Sequence, residues 1–599
     1  MIKIPSIKIL VNKTSLTFRR FFFAILIAII GTIAAFIVVD DGIENEELYI
    51  RIILSCIVGL PLLIASQIFI ESKRLNFWNK GLTIIISFLL LIGYFITIKD
   101  INDPKKIIQF ILYLGAIHLL VSFAPFVNRG LVNGFWQFNK TIFLHVLLTF
   151  LYTTVLTLGL FLAIGAIDIL FSANIGEKVY LRLFIVIAGI FNTWFFLSGV
   201  PSDIKNLENI KDYPKGLKIF TQFVLLPLVG IYFLILYAYI VQILVTWNIP
   251  NGWVSYLVIG FSFAGILSLL LISPIKDNEE NKWILVFDKW YYFIILPPVF
   301  LLFIAIGQRI NQYGITENRY FILALAIWLA IVSAYFIFSN KKRIKFIPVS
   351  LCILTLLITF GPWGVFSISQ NSQIKQLKML LEKNNLIKEN KIIPVSTNID
   401  INDHERIVSV VKYLGNNHGY EKIEDWFVLD IDSIFTIDSL SSGYKKSKVI
   451  LELMNLDPNP DEELLGIDGP NFEFRSKDYD VMHITGFDYL IKFSKTDFTD
   501  ETEPFIIKDD TLLFRFNSDN NKISLLKNGV EFLLADLQPF VVGLKDYKKE
   551  YYIPTEKMQV NAENDECFFK TYFINIEGVF DSTSVTINNF DTKIFLKLK

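Results

Sequence analysis

The chain is poor in cysteine and carries no excess of basic charge. Three cysteines occur among 599 residues, and Cys567 is the only one after residue 367. The C-terminal part therefore cannot hold an internal disulfide, and its stability must come from its core. With a net charge of −1 and a pI near 6.6, the chain also lacks the concentrated basic surface of a nucleic-acid-binding protein. We exclude nucleic acid as a partner.

Catalytic and metal-binding motifs are missing as well. The sequence contains no phosphate-binding GxxxxGK[ST], no dinucleotide-binding GxGxxG, no HExxH and no GxSxG. His404 precedes Glu405 directly, but adjacent side chains point to different faces of a helix and make a poor metal site. The acidic stretch at 457–463 lacks the ligand spacing of an EF-hand loop. We assign no catalytic residue, metal or cofactor and favour a non-enzyme; a membrane enzyme with dispersed active-site residues stays open.

Long apolar runs dominate the first 367 residues. Hydrophobic residues make up 53% of the chain and the mean hydropathy is +0.50, outside the range of ordinary soluble proteins. After a basic segment at 1–20, runs of roughly 17–25 residues recur, the length that crosses a hydrocarbon core about 30 Å thick. The first run has no signal-peptide cleavage pattern and is predicted to be retained. The sequence predicts about eleven spans, at 21–39, 48–70, 81–98, 107–127, 141–170, 180–200, 219–247, 252–275, 291–307, 319–339 and 344–367.

Basic residues alternate from loop to loop along this array. Segments on one side of the membrane hold 21 Lys and Arg residues, and those on the other side hold six. Cytoplasmic loops of membrane proteins carry the excess of Lys and Arg. The N-terminus is therefore predicted to be cytoplasmic and the C-terminal domain extracytoplasmic.

Four polar side chains within predicted spans are candidates for a pathway through the bundle. His118 lies in the middle of the fourth span, His145 and Asp168 lie near the two ends of the fifth, and Asn192 lies in the sixth. A charged group at the centre of a membrane helix costs roughly 2.5–3.5 kcal/mol on insertion scales, so such residues merit a functional interpretation. His145 and Asp168 are 23 residues apart, about 34 Å along one helix, and cannot touch. A packing role and a pathway role both stay open.

The residues after 367 are predicted to form a soluble α+β domain. Residues 373–387 have the apolar spacing of an amphipathic helix, and a second helix is predicted from a cap at Asn402 or Asp403 to Gly415. Beyond about residue 480 the pattern changes to strands, and Asn528-Gly529 predicts a hairpin turn. We divide the chain into the basic segment 1–20, an all-α transmembrane helical bundle at 21–367, and an extracytoplasmic domain with a mainly helical part at 368–480 and a β-rich part with an antiparallel sheet at 481–599.

Stretches spread over most of the chain resemble one known family. They include FNTWFFLSGVP at 191–201, IGQRINQYGITENRYF at 306–321 and FGPWGVFSISQNSQ at 360–373. Together they make the sequence similar to the bacterial family catalogued as domain of unknown function 4153. The resemblance implies a multi-pass protein of the bacterial envelope, which we place in the cytoplasmic (inner) membrane. It transfers no catalytic residues.

The loop at 313–320 joins two spans on the predicted outer side and concentrates polar side chains. The candidates there are Arg309, Tyr313, Glu317 and Arg319. In one interpretation the glycine makes a tight turn, the threonine caps the next span, and Tyr and Arg anchor the chain at the membrane interface. In the other, these residues form a polar platform that docks the outer domain or binds a lipid headgroup. We favour the first.

Two functions fit these features. We favour an envelope component whose bundle anchors an extracytoplasmic binding or sensing domain, because that domain is large and charges inside the bilayer are scarce. The alternative is a transporter or lipid-handling permease, indicated by the many spans and by Pro297-Pro298, which should break a helix. The expected partners are the lipid bilayer and either another envelope protein or a lipid.

Overall fold

The N-terminal part of the chain is helical, and the C-terminal part consists of antiparallel strands. Two compact units, Met1–Leu456 and Asp457–Lys599, are described separately below. The computed structural model describes residues 7–40, 42–98, 103–127, 130–246, 253–275, 282–339, 342–394, 399–431, 434–435, 443–456, 471–476, 484–495, 500–507, 510–518, 520–547, 553–580 and 585–599. The acidic stretch at 457–463 lies outside these ranges.

The apolar helices of the first unit follow one another along the chain. They are α1 (Ile7–Arg20), α2 (Phe22–Ile37), α3 (Glu46–Lys73), α4 (Phe77–Thr97), α5 (Pro104–Phe123), α6 (Val132–Phe171), α7 (Glu177–Val186), α8 (Asn192–Ser198), α9 (Lys215–Phe220), α10 (Leu226–Thr246), α11 (Trp253–Ile272), α12 (Lys282–Ile294), α13 (Leu296–Tyr313), α14 (Glu317–Phe338) and α15 (Phe346–Thr359). Single π-helical turns join α7 to α8 and α9 to α10.

Nine helical stretches among the described residues are long and apolar enough to cross a membrane. The count of spans is approximate, because each of the eleven predicted runs contains an apolar helix and these nine stretches reach the membrane-spanning length by themselves. The first and the last predicted runs contain helices that are too short to span a membrane alone. The 16 residues of α2 meet α1 at a bend of 95° and make a tenth span only together with it. α15 has 14 residues and is therefore about 21 Å long. Soon after its end the chain turns at Gly361, where φ is +76°.

Burial is uneven across these helices. Within an apolar window of 18 residues, half of the α3 residues are buried inside the protein, whereas 6% of the α6 residues are. α3 packs against α2, α4 and α5 and forms the centre of one core. A second core lies among α10 to α14 around the buried Trp328. α6 lies at the edge, where its exposed apolar side chains would face lipid.

The proline pair coincides with a break between helices, as the sequence predicts. α12 ends at Ile294 and α13 begins at Leu296, so Pro297 and Pro298 occupy the first turn of α13. A missing N–H costs little there, because first-turn N–H groups have no intrahelical acceptor. The two helices together still form one apolar stretch, Trp283–Tyr313.

Polar helices follow the apolar array within the same compact unit. They are α16 (Val365–Lys383), α17 (Ile401–Asn417) and α18 (Gly443–Leu453), with a short hairpin of β1 (Ile387–Lys388) and β2 (Lys391–Ile392) after α16. Their facing apolar stripes form a separate core that includes Leu377, Leu381, Ile407, Val411 and Ile450.

Both predicted boundaries of α17 differ from the structure. Asp400 caps the helix, because its carboxylate accepts from the backbone N–H groups of Asn402 and Asp403. Gly415 does not end the helix but lets α18 approach it closely. A Cβ at Gly415 would lie 2.8 Å from the carbonyl oxygen of Gly443, so the glycine serves packing and not termination.

The second unit contains two antiparallel sheets over one aromatic core. Its strands are β3 (Asn471–Arg475), β4 (Tyr489–Lys495), β5 (Phe505–Ile507), β6 (Asp510–Asn517), β7 (Lys522–Lys527), β8 (Val530–Asp536), β9 (Gln559–Glu563), β10 (Cys567–Phe580) and β11 (Val585–Leu598), with a short helix α19 (Gln538–Gly543). One sheet has the order β3-β10-β11-β4 with β9 on β10, and the other is the meander β5-β6-β7-β8. Asn528 and Gly529 both have positive φ in the turn between β7 and β8, which confirms the predicted hairpin.

The compact units divide the chain at other positions than the sequence-based domains do. The helices between 365 and 456 group with the apolar helices. β3, inside the stretch assigned to the mainly helical part, pairs with β10. The fold is thus a helical bundle of about nine apolar helices followed by a C-terminal domain of antiparallel sheets.

Candidate functional site

The turn between α13 and α14 is held against α16 by hydrogen bonds between side chains of α16 and the backbone of the turn. Gln373 donates its side-chain N–H groups to the carbonyl oxygens of Tyr313 and Ile315 at 2.9 and 3.0 Å. The Ile315 N–H donates to Ser372 Oγ at 2.8 Å. Gln373 is buried, so these bonds are shielded from water and fix the position of the turn on α16.

Gly314 makes this close approach possible. Its φ of +72° and ψ of −178° lie in a region that is essentially restricted to glycine. A Cβ at this position would also lie 2.8 Å from Gln376 Cγ and 2.9 Å from Gln373 Nε2. Thr316 occupies the N-cap position of α14 without a side-chain capping bond.

Glu317, the first residue of α14, lies at the centre of a buried polar cluster. Its carboxylate is 2.7 Å from His418 Nε2 and 3.1 Å from the Ser369 hydroxyl, and it accepts a hydrogen bond from the Tyr413 hydroxyl. The His418 side chain has no exposed surface and that of Glu317 is 11% exposed. We call Glu317, Ser369, Tyr413 and His418 the junction cluster.

The electrostatics of the junction cluster favour a carboxylate that only accepts. An ionised carboxylate has no proton to give, so His418 Nε2 and the Tyr413 hydroxyl donate to it. The Ser369 hydroxyl lies within hydrogen-bond distance of both this carboxylate and the carbonyl oxygen of Val365. Its place in the first turn of α14 is favourable, since the N-terminal end of a helix carries partial positive charge. Burial and the adjacent Glu317 carboxylate raise the pKa of Tyr413 above its usual value, which keeps this hydroxyl protonated as a donor.

Two further contacts join the polar helices to the ends of apolar helices. Lys105, in the first turn of α5, donates to the carbonyl oxygen of His418 at 3.2 Å. Arg406 of α17 donates to the carbonyl oxygen of Gln312 at 2.7 Å. The polar helices are therefore attached to α5, α13 and α14 at once.

The junction cluster joins α14 to the polar helices through buried hydrogen bonds. His418 Nδ1 is buried and has no hydrogen-bond partner among the described residues, and the ring is closed off from solvent. No group of three or more His, Cys, Asp or Glu side chains in the described part of the chain could hold a metal ion.

The predicted outer-loop candidates lie at different positions relative to this cluster. Glu317 belongs to it, and Arg319 donates to the carbonyl oxygens of Tyr313 and Gly314 at 3.2 and 2.8 Å. The Tyr313 ring lies under the guanidinium of Arg319, with Arg406 at 6.0 Å. Arg309 is half-buried one turn earlier in α13 and does not take part in the junction cluster.

The four intramembrane candidates do not form one site. His118 is exposed, with Nδ1 2.7 Å from the carbonyl oxygen of Leu114 in its own helix. His145 stacks on Phe195, and Asp168 accepts from the Ile175 N–H after the end of α6.

Asn192 accepts a hydrogen bond from Thr153 at 3.0 Å. No hydrogen bond or ion pair within the described ranges connects any two of the four candidates. Each side chain instead has a separate local contact.

Sequence reasoning missed Ser369, Tyr413 and His418. Their positions lie 52 to 101 residues from Glu317 in the chain, and no local pattern relates them. The one signal was the concentration of polar residues in the loop at 313–320, which marked Glu317 but not its partners.

Comparison with known proteins covers mainly the helical part. The family model described as "Domain of unknown function (DUF4153)" matches residues 15–387, which include the α13–α14 turn and α16 but not Tyr413 or His418. The uncharacterised protein PM1469 of Pasteurella multocida (strain Pm70) is 22% identical over 362 residues, which are 59% of this chain and 58% of that protein. The match thus spans less than two thirds of that relative's length. No solved structure matches the chain. Since the family model covers more than half of it, this membrane protein belongs to the DUF4153 family of unknown function.

Proposed function

We propose that this protein is a non-enzymatic component of the bacterial envelope whose apolar helices anchor and position an extracytoplasmic binding or sensing domain. The junction cluster is the observation that carries the proposal. A buried carboxylate is costly unless it is hydrogen-bonded, and here Tyr413 of α17 and His418 just after it donate to the carboxylate, with the Ser369 hydroxyl of α16 3.1 Å away. Buried polar networks of this kind can specify one arrangement of the elements they join. An anchor that positions its outer part needs such a contact.

The proposed location is the cytoplasmic membrane, with the N-terminus in the cytoplasm and residues 365–599 outside it. The support is the bias of 21 against six basic residues between the two sets of loops. The α13–α14 turn and the start of α5 both fall in the loops with few basic residues. The polar helices attached to them would therefore lie on the extracytoplasmic side.

The alternative, a transporter or lipid-handling permease, has less support. A proton or ion pathway needs polar groups that contact one another along the bundle. His118, His145 and Asp168 each have a separate local partner. The single-turn π-helices at Ile187–Phe191 and Thr221–Leu225 are the features that keep this class in view, since such turns are frequent at functional sites.

One set of variants distinguishes the two functions. Each variant replaces the chromosomal copy, and its abundance in the membrane and its fitness in growth competition are measured. We expect Glu317→Ala and His418→Ala to lose fitness at normal abundance, while His118→Ala and Asp168→Asn behave like the wild type. The reverse pattern would favour the permease and contradict the anchor. Hydrogen exchange on the purified chain shows in parallel whether α16 and α17 have loosened.

A further inference from the structure

A cavity of about 110 Å³ lies at the end of the helical array where α1 bends into α2. Residues at this bend, late in α3 and early in α4 line it, among them Arg19, Ser66, Gln67 and Ile84. A single water needs roughly 10–15 Å³ of such space, so the cavity has room for a group several times larger. α4 leads from this end to the end where α5 contacts His418, so the cavity and the junction cluster lie at opposite ends of the array.

The cavity lies near one end of the apolar helices that line it. Ser66 and Gln67 are six to seven residues before the end of α3 at Lys73, about 10 Å along the helix. Phe77 and Trp78 at the start of α4 are more than 80% exposed, as are the aromatic side chains that anchor helices at headgroup level.

The charge at the mouth of the cavity is positive. Arg20 is neutralised by Glu71, which it contacts through Nε and Nη2 at 2.8–3.1 Å, and it also donates to the carbonyl oxygens of Val200 and Pro201. Glu71 is the single acidic residue in segments 14–24 and 63–84. Arg19 is exposed and has no hydrogen-bond acceptor among the described residues. Its guanidinium is therefore an uncompensated cation beside a polar cavity.

We propose that this cavity binds the phosphate of an anionic phospholipid, with Arg19 as the principal phosphate contact. A guanidinium matches two phosphate oxygens with two parallel N–H donors. The Ser66 hydroxyl in the cavity is hydrogen-bonded to the Leu62 carbonyl oxygen and Ser87, and Gln67 Nε2 donates to Glu71, so recognition of the phosphate falls to Arg19. Exposed apolar side chains at the rim, including Phe22, Phe23 and Ile85, provide a surface for the acyl chains. This rim favours a lipid headgroup over a free phosphate ion.

The test measures the unfolding midpoint of the full chain in neutral detergent with added lipid. Phosphatidylglycerol is expected to raise the midpoint by a few degrees, and phosphatidylcholine to leave it nearly unchanged. For Arg19→Gln, the phosphatidylglycerol concentration that gives half of the shift should rise about tenfold, the size expected for losing a charged hydrogen-bond pair. Arg19→Lys keeps the charge but not the paired donors, and it should give an intermediate value.

Lys80→Gln is the matched control, because Lys80 is exposed at the same end of the array and does not line the cavity. If Arg19→Gln and Arg19→Lys respond to phosphatidylglycerol as Lys80→Gln does, the proposal is wrong. A shift of equal size with inorganic phosphate would assign the cavity to a free anion and overturn the lipid. If Arg19→Gln does not fold, Arg19→Lys is compared with Lys80→Gln instead, and an equal response of these two variants to phosphatidylglycerol would contradict the proposal.

Discussion

Glu317 has both carboxylate oxygens occupied in the first turn of α14, by His418 and Ser369 on one oxygen and by Tyr413 on the other. Each partner comes from a polar helix or from the residue just after it, so one side chain connects α14 to α16 and α17. Removing one donor leaves part of a buried carboxylate without a partner, which costs more than the lost bond alone.

Tyr413→Phe should loosen the attachment of α17 by about 1–3 kcal/mol, the cost of leaving a buried polar group unsatisfied. Native-state hydrogen exchange of the α17 amides measures this opening free energy. Tyr313→Phe is the matched control, because it removes a half-exposed hydroxyl and keeps the ring beside Arg319. Equal exchange in the two variants would mean that the Tyr413 bond does not hold α17.

Gly314→Ala should weaken the contact between the α13–α14 turn and α16. Alanine at φ +72° and ψ −178° is strained by about 1–3 kcal/mol, and its Cβ would press on Gln373 and Gln376. Gly307→Ala serves as control, because a Cβ there meets nothing within 4 Å. Faster exchange in α16 for the first variant alone is the expected outcome.

At the scale of elements, α16 and α17 are joined by an ion pair at their ends as well as by their apolar core. Lys383, the last residue of α16, lies 2.7 Å from the carboxylate of Asp403 in the first turn of α17, and Asn384 donates to the same carboxylate at 3.0 Å. The pKa of Asp403 is lowered from its usual value of 3.8, mainly by the hydrogen bond from Lys383. The acidic first turn also suits the α17 dipole.

This depressed pKa predicts a dependence on acid. A carboxyl group whose folded pKa is lowered stabilises the fold above its unfolded pKa, and the contribution is lost as the pH falls through the folded value. The α16–α17 pair should therefore weaken below about pH 3.8. In Asp403→Asn the pair should be weaker at neutral pH and lack this acid transition. Hydrogen exchange corrected for intrinsic rates tests both statements, and an unchanged acid transition in the variant would contradict them.

The two sheets of the C-terminal unit meet through aromatic side chains. Phe590 of β11 is 1% exposed and contacts Phe493 in its own sheet and Phe516 in the other. Phe590→Ala should cost about 3–5 kcal/mol in the free energy of unfolding, measured by urea titration of residues 457–599. Val530→Ala, at a position that is 70% exposed, should cost little. A small effect at Phe590 would mean that the sheets do not share one core.

At the scale of the whole molecule, the sequence predicts what depends on local periodicity. It identifies the apolar runs, the strands after residue 480 and the Asn528-Gly529 hairpin, since each depends on neighbouring residues. It identifies eleven apolar runs, and in two of them a 95° bend before α2 and the turn at Gly361 leave helices that are too short to span a membrane alone. The sequence marks Glu317 but not His418. The two residues are about a hundred positions apart in the chain and come into contact only when it folds, so no local pattern relates them.

The number of spans also determines the side on which the second unit lies. If both α2 and α15 cross the membrane, or neither does, the chain has an odd number of crossings and its ends lie on opposite sides. If only one crosses, both ends lie on the same side. The loop charges favour opposite sides, with the C-terminal unit outside.

A single cysteine at Asn520 tests this topology. Asn520 is exposed, whereas Cys352 and Cys567 are buried and the half-buried Cys56 lies in an apolar helix, so an impermeant maleimide should label mainly the new thiol. We expect Asn520→Cys to be labelled in intact spheroplasts and Asp203→Cys, in a predicted cytoplasmic loop, to be labelled only after permeabilisation. Labelling of Asn520→Cys only after permeabilisation would place the C-terminal unit in the cytoplasm, indicate an even number of crossings, and remove the basis for an extracytoplasmic sensor.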